Sequence, residues 1–449
     1  MTFKFIDLFS GIGGFHHALM KLGGHCVLAC ENDSPCRKVY RNSFELEEGF
    51  PFSGNIRSIT RNNVDDPNDL KSKSSIDVQV PDHDLLCAGF PCQPFSKSGA
   101  QEGTKDQIRG TLFFDIVQII EAKMPKYLFL ENVRNLAGPR HKDTWATIVQ
   151  VIRDLGYVIH DDPLIFSPHL LSQNRGGAPQ VRDRVYILAI KKEHSESQQR
   201  IDNLRAFNDL LRAKKLKDPD DWKITRKLYA DEKIKNVERY FVNSDDEIYL
   251  SAWNYLVENI DLDTLPGFPI WAFAFRQAPD LESDDPAWKK DFLRKNRNFY
   301  LNNRPFLDQW MNDFKVLDFP HSRQKFEWQA RKHHKDKKGH DGTGRTIYDL
   351  VCQLRPSGIR VKPPTYLPAL VAITQTSVVG PKLRQLQNGS NHFRKLTPVE
   401  AGVLQGIPKN VYRFGIVQDK DAYKQLGNAV NVGLVREVAR YLLGFKPQS

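Results

Sequence analysis

Phe3-Lys4-Phe5-Ile6-Asp7-Leu8-Phe9-Ser10-Gly11-Ile12-Gly13-Gly14-Phe15 opens the chain as a strand, a glycine turn and the first turn of a helix. Apolar residues dominate 3–8, glycines crowd 11–14, and helical spacing holds over 15–22. Glycines let a ligand approach the backbone closely, and a helix N-terminus offers unpaired N–H donors. The competing reading is a tight turn with a purely structural purpose. The alternation then continues, with strands at 26–30, 85–87, 127–130 and 185–190 and helices at 35–44, 112–123 and 144–155. It predicts a mostly parallel sheet with helices on both faces. Residues 71–75 read as a polar linker inside this region.

The glycine spacing departs from G-x-G-x-x-G, so a dinucleotide is not favoured. Glu31 ends the second strand about 20 residues on, where an acid reaches ribose hydroxyls. A nucleoside without a pyrophosphate fits both facts.

Bulk properties set outer bounds. The chain has 449 residues, 40% hydrophobic and 27% charged, which suggests two soluble domains. No apolar run reaches the ~18 residues a membrane span needs, and the N-terminus lacks a signal-peptide plan. The six cysteines contain no CxxC pair. Zinc held by Cys26, Cys30 and Cys36 is disfavoured, because no fourth ligand has suitable spacing; reduced thiols in a cytosolic protein fit best. The net charge of +11 points to a polyanion such as nucleic acid. Part of the surplus clusters at 325–345, around Trp328.

Three further stretches carry chemistry. In Leu85-Leu86-Cys87-Ala88-Gly89-Phe90-Pro91-Cys92-Gln93-Pro94-Phe95-Ser96 a strand runs into a turn that presents Cys92. Such a cysteine is either a buried small hydrophobe or a nucleophile held at the C-terminal edge of a sheet. Glu131-Asn132-Val133 follows the strand at 127–130, so Glu131 belongs at the same rim, as an acid or as a cap. In Gln180-Val181-Arg182-Asp183-Arg184, strand alternation points Arg182 and Arg184 to one face, suited to an anion, a polarised carbonyl or a salt-bridged edge.

Beyond residue 191 the rhythm changes. Residues 191–250 are charged, 251–330 are rich in aromatics that read as the core of a small domain, and 331–345 read as a basic exposed loop. Regularity returns at 394–449, where Thr397-Pro398-Val399-Glu400 has the form of a capping box and 429–443 reads as a final amphipathic helix.

Taken together the chain resembles the C5-cytosine-specific DNA methyltransferases of the bacterial restriction–modification type. The blocks that carry the resemblance, in the family's order, are 7–15, 89–96, Gly110-Thr111-Leu112-Phe113-Phe114, 131–133, 180–184, Arg394-Lys395-Leu396-Thr397-Pro398 with Leu404-Gln405-Gly406, and Gln425-Leu426-Gly427-Asn428-Ala429-Val430. They cover 1–190 and 394–449; 191–393 matches in position alone, where the family holds its variable target-recognition region.

The resemblance implies an α/β fold of the S-adenosylmethionine-dependent methyltransferase type, a Rossmann-like mixed sheet with helices on both faces, plus a smaller irregular target-recognition domain. The expected division is a catalytic domain at 1–190 completed by 411–449, and a recognition domain at 191–410. It implies Cys92 as the nucleophile toward cytosine C6, Glu131 at N3, Arg182 at the O2 side and Arg184 in support. It places S-adenosyl-L-methionine, with no metal, against Phe9, Gly11, Gly13, Gly14, Glu31, Asn55, Ile56, Leu112, Asn428 and Ala429. Here Gly54-Asn55-Ile56 stands where the family usually has Gly-Asp-Ile, and an asparagine oxygen still accepts a hydrogen bond from the adenine amine. Ser96 and Gln180 are expected at the DNA. Arg355 and Arg360, in an expected loop at 354–362, are candidates for reading bases or for phosphate contacts alone. The expected partner is double-stranded DNA bound by a monomer in the bacterial cytoplasm, paired in function with a restriction endonuclease but not in a stable complex. An RNA cytosine methyltransferase and a non-enzymatic DNA-binding regulator are the competing readings.

Overall fold

The computed structural model describes residues 2–91, 111–193, 196–213, 222, 224–261, 264–276, 284–330, 345–370, 377–384, 392–408, 411–412 and 414–445. Cys92, Ser96 and residues 331–344 of the basic stretch lie outside the described residues. The chain divides into two compact units, one of 1–219, 368–374 and 401–449, the other of 220–367 and 375–400.

The first unit is built on an eight-stranded sheet. Its strands are β1 (Phe3–Leu8), β2 (Gly24–Cys30), β3 (Phe52–Ser53), β4 (Leu85–Gly89), β5 (Tyr127–Val133), β6 (Tyr157–Ile159), β7 (Leu164–Phe166) and β9 (Arg184–Lys191); the short β8 (Gln180–Val181) lies outside it. The order is β3-β2-β1-β4-β5-β9-β6, with β7 also on β9. β1 to β5 run parallel, and β9 runs antiparallel to β5, β6 and β7. The parallel strands are apolar almost throughout because both faces are covered. From β1 the order runs outward to β2 on one side and to β4 on the other. The carboxyl ends of β1 and β4 therefore flank a topological switch point, where open α/β sheets hold their ligands.

Helices α1 (Gly14–Met20), α2 (Ser34–Phe44), α3 (Ile56–Thr60), α4 (Lys73–Gln79) and α5 (Leu112–Lys123) connect the first strands, followed by α6 (Lys142–Asp154) and α7 (Ser197–Ala213). The residues read as a polar linker enter α4, where the Ser72 hydroxyl accepts the Ser75 N–H at 3.2 Å and Ile76 is buried. The compact unit runs past residue 190, because α7 packs on β6, β7 and β9. The helix expected at 429–443 is Val432–Leu443, preceded by a further helix, Asp419–Asn428; Asn431 between them caps the last by accepting the Leu434 N–H at 2.9 Å.

The second unit holds a six-stranded sheet ordered β10-β11-β13-β12-β14-β15, where β10 is Ile270–Trp271, β11 Lys325–Trp328, β12 Val351–Arg355, β13 Gly358–Lys362, β14 Ser377–Val379 and β15 Arg394–Lys395. The aromatic stretch supplies its core, with Trp253, Phe275, Trp310 and Phe326 buried; Trp288, 61% exposed, stands apart. The expected loop at 354–362 is instead a hairpin: Arg355 pairs with Gly358 across Pro356 and Ser357. The capping box forms, with Thr397 N–H donating to Glu400 at 2.8 Å and Glu400 N–H to the Thr397 hydroxyl at 3.2 Å.

Candidate active site

A cavity of about 430 Å³ opens in the first unit at the switch point between β1 and β4. One end is the glycine turn. Phe9 and Gly11 both adopt a left-handed φ of 54°, rare for a phenylalanine and the kind of backbone strain that gathers at functional sites. Ser10 N–H donates to the Cys30 carbonyl at 2.9 Å, tying the turn to the end of β2. The Glu31 carboxylate accepts Gly11 N–H at 2.8 Å and Asp33 N–H at 2.7 Å. Each of its oxygens keeps a lone pair for a further donor.

A Cβ on Gly11 would meet nothing within 4 Å, so the turn leaves open space at that point. Gly13 has a different reason for being glycine: at φ 88°, its Cβ would lie 2.2 Å from the Phe44 ring. Gly14 lines the cavity and lies against Val430. Ile56, Leu112 and Ala429 give the walls apolar surface, with Asn55 and Asn428 among them. Asn55 Oδ1 already accepts the Arg57 N–H at 3.0 Å, capping α3, and retains one lone pair. These residues fit a nucleoside: a carboxylate for a diol and apolar walls for the base.

At the other end Glu131 and Arg184 line the cavity. Glu131 lies within β5, which runs to Val133 rather than stopping at 130. Arg184 opens β9 opposite Val133, which sets it diagonally from Glu131, and its Nε meets Glu131 Oε1 at 3.0 Å. Burial pulls the Glu131 carboxyl above its ordinary value, while Arg184 and then Arg182 draw it back. The outcome is a carboxyl biased toward its neutral, proton-donating form.

Arg182 does not join Arg184. The alternation expected across 182–184 needs one continuous strand, and here β8 ends at Val181 and β9 begins at Arg184. Across that break the Arg182 guanidinium turns into the protein. Its Nη2 donates to the carbonyls of Gly427 and Ala429, each at 2.8 Å, and Nη1 to that of Leu370 at 3.3 Å. Burial, then the charge of Arg184, lowers its pKa to about 9. Arg182 therefore holds the segment that carries Asn428 and Ala429, and the cavity-facing guanidinium is that of Arg184. Gln180, expected at DNA, is fully buried. In the second unit, Arg355 and Arg360 sit in strands, half-buried and paired with Glu327.

Gly89, Phe90 and Pro91 line the cavity immediately before Cys92. Asn132 Nδ2 donates to the Phe90 carbonyl at 2.9 Å and so anchors this segment to β5. Sequence reasoning missed that role; the only signal was a buried-strand position occupied by a polar residue. It also missed Asp33 and Lys424, paired at 2.5 Å on the cavity wall.

A family model described as C-5 cytosine-specific DNA methylase matches residues 3–444. The type II methyltransferase M.AluI of Cellulosimicrobium cellulans is 36% identical over an alignment 512 positions long, which covers 98% of this chain and 91% of the relative. The type II methyltransferase M.BanI of Aneurinibacillus aneurinilyticus is 29% identical, covering 98% and 95%. Among solved structures, the S. pombe Dnmt2 methyltransferase aligns over 98% of both chains with a TM-score of 0.50 and 16% identity, a likeness of fold alone.

Proposed function

The chain belongs to the C-5 cytosine-specific DNA methylases, and on that footing we propose how its residues divide the work. The reaction is methyl transfer to C5 of cytosine in DNA, by an enzyme of the type II restriction–modification kind. The observation that carries the assignment of roles is one cavity with the Glu31-braced glycine turn at one end and the Glu131–Arg184 pair at the other.

S-adenosylmethionine, when bound, supplies an electrophilic methyl group. Glu31 would hold its ribose, Gly11 would admit it against the backbone, and Phe9, Ile56 and Leu112 would pack on it, with Asn55, Asn428 and Ala429 completing the wall. Cytosine C5 is a poor nucleophile until C6 carries an added group. The Cys92 thiolate adds to C6, the electron pair moves to C5, and C5 takes the methyl. Transfer of the C5 proton to solvent then returns the pair to the ring and expels the Cys92 thiolate. Glu131, biased toward its neutral form, donates to N3 as charge develops there. Arg184 takes the O2 side in place of Arg182. The base must leave the duplex, at a cost of a few kcal/mol in stacking and pairing; phosphate contacts from a basic surface, with Ser96 a candidate, offset this. We assign the chain to the bacterial cytoplasm as a monomer that protects DNA from a separate endonuclease.

The test is Cys92→Ala. Methyl transfer to duplex DNA should vanish while DNA binding persists. Undiminished turnover would overturn the nucleophile assignment. Methylation of adenine, or of tRNA in preference to duplex DNA, would overturn the substrate. Bisulfite sequencing of DNA from cells expressing the protein identifies the cytosine and its context.

A further inference from the structure

In the second unit's sheet, successive side chains point to opposite faces. Phe326 and Trp328 on β11, Ile359 and Val361 on β13, and Cys352 on β12 face the core. The other face carries a polar cluster at one end, beside the buried Val351 and Val379. Register sets Glu327 of β11 beside Arg360 of β13, and Arg360 beside Gln353 of β12; Arg355 lies two residues along from Gln353.

Glu327 is the hub of this face. Its Oε2 accepts Arg360 Nε at 2.7 Å and Arg355 Nη2 at 3.0 Å, and its Oε1 accepts the Gln329 amide. Burial acts to raise the Glu327 carboxyl and the two guanidinium groups more than offset this, so it stays ionised. Arg360 gives its inner nitrogen to Glu327. For its outer pair, Nη1 and Nη2, no acceptor is found among the described residues, and two such donors are what the O6/N7 edge of guanine takes. Gln353 is 6% exposed, and its Oε1 has no partner among the described residues. A buried acceptor without a donor is costly.

We propose that Glu327 is the positioning residue for base discrimination: it holds Arg355 and Arg360 as one fixed fork against base edges, with the Gln353 amide beside it. The proposal rests on the sequence reading of Arg355 and Arg360 as candidates for DNA contact. Unheld, two adjacent guanidinium groups repel, keep their rotamer freedom and bind phosphate as readily as base. Held by one carboxylate, they present donors at set positions, and a mismatched pair leaves those donors unmet.

The test uses the full-length protein and a pool of duplex oligonucleotides randomised around one cytosine. After incubation with S-adenosylmethionine, bisulfite sequencing gives the ratio of methylation in the preferred context to that in its single-base variants. Glu327→Gln should lower this ratio about tenfold, the scale of one good bidentate base contact; Glu327→Asp should retain part of it. A purely structural Glu327 would lower the melting temperature and the rate in every context together and leave the ratio unchanged, which would overturn the proposal. Arg360→Ala separates the two layers. A ratio moved by Arg360→Ala but not by Glu327→Gln overturns the role of Glu327 alone; a ratio moved by neither also overturns the DNA-reading face. Should Glu327→Gln fail to fold, Glu327→Asp decides on the same ratio.

Discussion

Asp115→Asn should loosen the cavity without touching it. Asp115 is fully buried in the first turn of α5. Its Oδ1 accepts the Thr60 hydroxyl at 2.7 Å and Arg61 Nε at 3.0 Å, and its Oδ2 accepts Arg61 Nη2 at 3.0 Å. The clip joins the end of α3 to the start of α5. The other end of α3 carries Asn55 and Ile56, and α5 begins at Leu112; all three line the cavity. Asparagine keeps the shape but leaves Arg61, its side chain 1% exposed, without a counter-charge. Breaking a buried pair on one side costs about 3–5 kcal/mol. At roughly 2–4 °C per kcal/mol for a unit of this size, the melting temperature should fall by about 10 °C.

The same pair gives an internal control. Taking two charges out of water costs more than their attraction need recover, so replacing both partners by apolar residues of similar size should be neutral or stabilising. Asp115→Leu with Arg61→Met should recover most of the loss seen in Asp115→Asn. Calorimetric melts check the stability. Titration of S-adenosylmethionine well below the melt checks the cavity, where the single variant should bind more weakly. An Asp115→Asn protein melting within about 2 °C of wild type, or a double variant less stable than the single, would refute the reasoning.

Four other outcomes follow from the site. Arg184→Met should cut methyl transfer by about 100-fold or more, the scale of one lost transition-state donor, with S-adenosylmethionine affinity retained; Arg182→Met should weaken that affinity, because it frees the Gly427 and Ala429 carbonyls. Since burial first of all raises the Glu131 carboxyl, its stabilising contribution is complete below the unfolded carboxyl pKa and is lost as pH rises through the folded value. The melting temperature of Glu131→Gln relative to wild type should thus climb as pH increases, and a difference constant from about pH 4 to about pH 8 would count against it. Gly13→Ala, with its Cβ driven to 2.2 Å from Phe44 at φ 88°, should lower the melting temperature and weaken S-adenosylmethionine binding together.

Much of this was readable in the chain because apolar runs and glycine punctuation are local signals. The helix expected at 112–123 is Leu112–Lys123, and β1 with its glycine turn lies where the opening residues put it. What escaped was polar and buried. β5 looked finished at residue 130 because Glu131 and Asn132 resemble a loop, yet both are buried within the strand. The hairpin at 351–362 was masked by Pro356-Ser357-Gly358, residues that signal a turn so strongly that the strands on either side read as loop. The Asp115–Arg61 clip spans 54 residues of sequence and has no local signature.

Arg182 and Arg184 show where local reasoning stops. Two residues apart, they obey a period-two rule only if the strand between them is unbroken. Asp183 interrupts it, its carboxylate drawn outward to Arg134 at 2.8 Å, and the two guanidinium groups part. One closes on carbonyls of the segment 427–429, some 245 residues away; the other meets Glu131 across a strand pair. The break separates two demands that a continuous strand would have aimed at one place: a cation to hold the returning C-terminal segment, and a cation to face the cavity. In the second unit the strands are continuous, and there the same period brings Arg360 and Glu327 onto one face. Where a guanidinium ends up is decided less by its own neighbours in sequence than by whether the backbone beneath it keeps its register.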